Sequence, residues 1–164
     1  MRSAGAQARF WGVLLLLVVL HLVVRPQLGD PRLAPDLILV AVLFFAIHER
    51  PGLGAAAGFL VGLAADAVAP TSFGAGALAG TVVGFLAGWV RAMFIADNVL
   101  ISALFVFAAA WLRDAIEVLA SNQLAATTAL WQLLTWTPLA ALITAASSLV
   151  VLLVFRPWLA RRPA

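Results

Sequence analysis

Residues 51–91 read PGLGAAAGFLVGLAADAVAPTSFGAGALAGTVVGFLAGWVR. Two apolar runs, Leu53 to Ala69 and Phe73 to Val90, are separated by Pro70-Thr71-Ser72. In the first run Gly54, Gly58 and Gly62 recur at every fourth position, and Asp66 continues the row. In the second, Gly76, Gly80, Gly84 and Gly88 do the same. An α-helix turns once in 3.6 residues, so each row lies along one helix face. Where the surroundings are lipid, the hydrophobic effect cannot drive helices together. Small residues at this spacing then let two backbones approach closely and gain dispersion contacts. The rows therefore mark tight helix packing, and a contact within the chain is the expected one, with a contact to another protein as the alternative.

The rest of the chain has the same character. Of its 164 residues, 65% are hydrophobic and only 10% are charged; the mean hydropathy is +1.10. A soluble domain carries roughly 25% charged residues, so this chain has too few to cover a water-facing surface. Further apolar runs cover Phe10 to Val24, Leu33 to Ile47, Val99 to about Ala120 and about Leu130 to Phe155. A bilayer-spanning helix takes about 20 mostly apolar residues. Six such runs fill the chain and leave no room for a second domain. The fold class expected is an all-α integral membrane protein with six transmembrane helices over 10–24, 33–47, 53–69, 73–90, 99–120 and 130–155. Transmembrane β-strands would alternate apolar and polar residues, whereas these runs are apolar all round. The first run resembles a signal peptide in its flanking Arg2 and Arg9. Arg25-Pro26-Gln27 after it offers no small-residue cleavage site, so a retained first helix is expected. Pro138 falls inside the last run, where neighbouring helices can satisfy the carbonyl it frees.

The ten basic residues are all Arg, and neither Lys, Tyr nor Cys occurs. They stand singly or in pairs at the ends of apolar runs rather than along one basic face, which excludes a nucleic-acid footprint. With six spans, both tails share one side with the second and fourth loops. That side collects Arg2, Arg9, Arg50, Arg91, Arg156, Arg161 and Arg162, against Arg25 and Arg32 on the other. Cytoplasmic loops are the Arg-rich ones, so both tails are expected in the cytoplasm. Trp11, Trp89, Trp131 and Trp158 fall near run ends, as interfacial anchors do.

Catalytic signatures are lacking. Without Cys there is no thiol nucleophile or Cys-ligated metal. The two histidines, His21 and His48, fall on opposite sides of the membrane and cannot share a metal. The acids are too dispersed for a metal-dependent lipid transferase, so no metal and no cofactor is expected. The charges inside the apolar runs carry more information. Asp36 opens the second run behind Pro35, Asp66 lies near the outer end of the third, and Arg113 lies about 21 Å along the fifth. Asp114 follows Arg113 directly, and Glu117 stands one turn further on the same face. These five charges, from three helices, converge on the outer half of the bundle. A charge in the bilayer is expensive, so such residues turn inward and pair. They form either a pocket for a ligand or partner, or a lock in which Arg113 pairs with Asp66 or Glu117 while Asp36 only complements its helix start.

The stretch from Pro35-Asp36-Leu37 through the charged loop His48-Glu49-Arg50-Pro51, the Gly-rich segment Gly58 to Asp66, the turn Pro70-Thr71-Ser72-Phe73-Gly74 and the helix end Gly84-Phe85-Leu86-Ala87-Gly88-Trp89-Val90-Arg91 resembles MreD, the bacterial rod shape-determining membrane protein family. Ala64-Ala65-Asp66 stands where that family usually has Leu-Leu-Asp. The resemblance implies a non-enzymatic component of the elongasome in the bacterial inner membrane. Such a component binds MreC and works with RodA, a class B penicillin-binding protein and, indirectly, MreB. The fold it implies is similar to the substrate-binding S component of energy-coupling-factor transporters. That similarity supplies the rival function, vitamin or micronutrient uptake, with the charged outer residues as its pocket.

Overall fold

The computed structural model describes residues 4–27, 34–68, 74–90, 99–121 and 126–159. Its elements are α1 (Ala4–Val24) with a 3-10 turn at Arg25–Gln27, α2 (Leu37–Ala46), α3 (Pro51–Val68), α4 (Ala75–Val90), α5 (Val99–Ser121), α6 (Ala126–Trp131), a π-helical segment (Gln132–Trp136) and α7 (Thr137–Leu159). No strand occurs among the described residues. The segments from α6 to α7 follow one another without a break, so six helical rods result among the described residues. Two of them, over Gln7–Gln27 and Gln132–Phe155, are long and apolar enough to cross a bilayer by themselves.

α2 is the hub. Leu37, Leu39, Val40, Ala41, Val42, Leu43, Phe44 and Ala46 are all buried, and the helix touches α1, α3, α4, α5 and α7. A helix that is apolar all round belongs in such a position. It occupies less than the whole 33–47 run. Asp36 caps it, its side chain accepting from the Leu39 N–H, and the helix begins only at Leu37. Ten residues rise about 15 Å, half the hydrocarbon core.

Many large apolar side chains point away from the bundle. Leu15, Leu60, Leu104, Leu134 and Leu142 are exposed, as are Trp11, Trp89 and Trp131. The buried positions of α4 and α7 are mostly Gly, Ala, Val, Ser and Thr. The outward Leu and Val suit a lipid surrounding. Trp158, the fourth expected anchor, lies outside the described side chains.

The tightest interface joins α3 and α4. Gly54 faces Gly84, Gly58 faces Gly80 and Gly62 faces Gly76, so the two helices run antiparallel with their glycine rows in direct opposition. A methyl group placed on any of these six would overlap backbone across the interface or, at Gly76, the Asp66 carboxylate. Gly88 lies equally close to the backbone of Pro51, at the start of α3.

Pro138 is accommodated without a break. The π segment ends two residues before it, with the Thr137 N–H bonded back to the carbonyl of Gln132. Proline cannot donate the next bond, which in this register would reach Leu133. The Leu133 carbonyl accepts instead from the Thr137 hydroxyl at 2.8 Å and from the Trp111 indole at 3.4 Å.

Candidate functional site

A cavity of about 320 Å³ opens where the end of α1, the start of α2, the second half of α5 and the π segment come together. α5 supplies Ala110, Arg113, Asp114, Glu117 and Val118, a spacing that places all five on one helix face. Gln132, Trp136 and Thr137 come from the π segment and the turn that follows it, Ala140 and Thr144 from α7. Arg25, Ala34, Asp36 and Leu39 complete the wall. A π segment adds a residue to a helical turn and re-aims its side chains, which is why such segments recur at functional sites.

Arg113 organises the charges. Its Nη1 donates to Asp36 Oδ2, and its Nη2 lies 2.8 Å from Glu117 Oε1 in an i,i+4 ion pair. The second contact lacks hydrogen-bond alignment, so Glu117 contributes charge more than direction. Asp36 is held from several sides. Its Oδ1 accepts from the Leu39 N–H at 2.9 Å, and its own N–H donates to the Thr144 hydroxyl at 3.1 Å. One carboxylate therefore caps α2 and ties it to α5, while its backbone ties it to α7. The buried His21 brings Nδ1 to 3.7 Å from Asp36, and its Nε2 lies 3.3 Å from Arg25 Nη1. Asp114 lines the same wall and makes no ion pair or hydrogen bond among the described residues.

Asp66 is elsewhere: of the two partners considered for Arg113, Glu117 meets it and Asp66 does not. Its carboxylate accepts from the N–H groups of Gly74, Gly76 and Ala77, each at 3.0 Å. These donors belong to the open first turn of α4. Gly74 occupies the cap position, has φ +99° and carries no side chain to cap with; Asp66 does that work from the preceding helix. Gly76 must be glycine for the carboxylate to reach in. Asp66 is thus a structural cap at the same end of the bundle as the cavity, outside its wall.

Sequence reasoning missed the roles of His21, Arg25, Gln132, Trp136, Thr137 and Thr144. Thr144 and Thr137 sit at helical spacing on the small-residue face of α7, the one available signal. His48 lies at the far end of α2, its Nδ1 2.7 Å from the Phe44 carbonyl and its ring 5.1 Å from that of Phe10. The two histidines are therefore at opposite ends of the bundle. No group of His, Asp and Glu among the described residues is arranged to hold a metal ion.

No curated protein and no solved structure matches the chain, so the likeness to transporter S components rests on the family resemblance. A family model does match, described as rod shape-determining protein MreD, over residues 6–160. That span contains all of the helices except the first two residues of α1, both glycine rows and the whole cavity wall. This chain belongs to the MreD family of membrane proteins that determine cell shape.

Proposed function

We propose that this protein is a non-enzymatic scaffold of the bacterial elongasome, which binds an MreC-like protein and so supports peptidoglycan synthesis along the side wall. RodA and a class B penicillin-binding protein belong to the larger assembly, with MreB coupled indirectly. The family match over nearly the whole chain carries this reading. The architecture supports it: α3 and α4 are joined backbone to backbone, and Arg113 ties α5 to α2. Such a body is rigid and presents apolar side chains outward. A partner's membrane helix would dock on it by close packing and polar contacts, each interhelical hydrogen bond being worth about 0.6–2 kcal/mol. The chain sits in the inner membrane as six spans with both tails cytoplasmic, which puts the cavity toward the periplasm. Depletion in the host should turn rods into spheres, and an MreC-like protein should co-purify in mild detergent. Rods that persist on depletion, with no such partner recovered, would sink the reading.

The cavity itself favours a second reading, an S component of a vitamin or micronutrient transporter. Loss of vitamin uptake in cells that keep their rod shape, and co-purification of an ATPase module, would select it.

A further inference from the structure

The cavity wall carries two guanidinium groups, Arg25 and Arg113, and three carboxyl groups, Asp36, Asp114 and Glu117. The charges are unevenly committed. Arg113 already faces both Asp36 and Glu117, and Asp36 also caps α2. Asp114 lines the cavity with no ion pair or hydrogen bond among the described residues. The same wall offers an indole from Trp136, the amide of Gln132 and the guanidinium of Arg25. A half-buried carboxylate beside an aromatic ring suits an organic cation. The carboxylate supplies charge-assisted hydrogen bonds, and the ring adds attraction through its quadrupole. Arg25 stands in the 3-10 turn just beyond α1, at the very end of the bundle, where a phosphate would meet it.

We propose that this cavity binds a primary ammonium group, held by Asp114 and supported by Trp136 and Gln132. The ammonium comes either from a zwitterionic phospholipid headgroup, whose phosphate then meets Arg25, or from a free small amine. Asp36, Arg113 and Glu117 line the same cavity and are already paired with one another.

The test uses the full-length protein in nanodiscs of pure phosphatidylglycerol, which has no amine. Thermal unfolding is followed as phosphatidylethanolamine is mixed into the lipid and, separately, as propylammonium chloride is titrated against propanol and sodium chloride. The expected result is a rise in Tm with the amine and none with the alcohol or the salt. Stabilisation by phosphatidylethanolamine with a weaker response to propylammonium identifies the lipid as the source; propylammonium alone identifies a free amine. Asp114→Asn keeps the cavity's size and removes its charge, and should weaken amine binding at least about tenfold. The comparison of amine with alcohol on the unaltered protein needs no variant to fold. Equal responses to propylammonium and propanol, or an undiminished response in Asp114→Asn, would overturn the proposal. An Asp114→Asn protein that still recovers an MreC-like partner separates this site from the scaffold reading.

Discussion

Arg113, on the fifth helical rod, donates to Asp36, a residue 77 positions earlier that caps the second. Both side chains are about four-fifths buried, at 19% and 21% exposed. The pair holds the start of the buried hub helix against α5, and the Thr144 hydroxyl adds α7 at the same residue.

Truncating Arg113 should therefore be severe. Breaking a buried pair by removing one partner typically costs about 3–5 kcal/mol, because the other charge is stranded. Arg113→Gln is expected to lower Tm in detergent strongly, and Asp36→Asn should partly restore it. Asp66→Asn should give no rescue. If the Asp36 and Arg113 losses simply add, the pair is not coupled.

Asp66 has a different sensitivity. Asp66→Ala strips three N–H groups of their acceptor at the start of α4. Loss of a single cap costs about 0.5–2 kcal/mol, and three bonds to one carboxylate place this case at or above the upper end. Hydrogen exchange should speed up at Gly76 and Ala77 while the amides around Arg113 stay protected. Uniform loss of protection along the whole chain would count against a local cap.

The glycine rows predict a steep contrast between positions. Gly58→Ala and Gly80→Ala drive a methyl group into backbone, which cannot yield as a side-chain tip can. Overpacking typically costs about 1–3 kcal/mol, and the helices would have to move apart. At Gly12 a methyl group meets open space, so Gly12→Ala should be neutral or slightly stabilising through its helix propensity. Equal melting of all three variants would refute the close approach.

The proposed topology is open to direct labelling, since the chain has no cysteine of its own. With Ser3→Cys, Gln123→Cys and Ala164→Cys, an impermeant thiol reagent on intact cells should reach only position 123. Reaction at 3 or 164 would reverse or abolish the assignment of cytoplasmic tails.

Periodicity along one chain segment carried much of this molecule. The glycine rows are legible because four-residue spacing on a 3.6-residue turn puts them on one face whatever surrounds them. Arg113 and Glu117 are legible as neighbours for the same reason. The convergence of charges at one end follows from alternating helix direction. The choice among those charges does not. Which carboxylate meets Arg113 depends on how each helix is rotated and which helices adjoin, and both are set by packing over the whole bundle. α3 turns its glycine row, and Asp66 with it, toward α4, where three open N–H groups claim the carboxylate. Asp36 is left facing α5. Pro138 likewise announced a disturbance without saying which. The π register that brings Gln132 and Trp136 to the cavity is supported by donors from Thr137 and from Trp111 on another helix, and no local pattern reports a contact made across the fold.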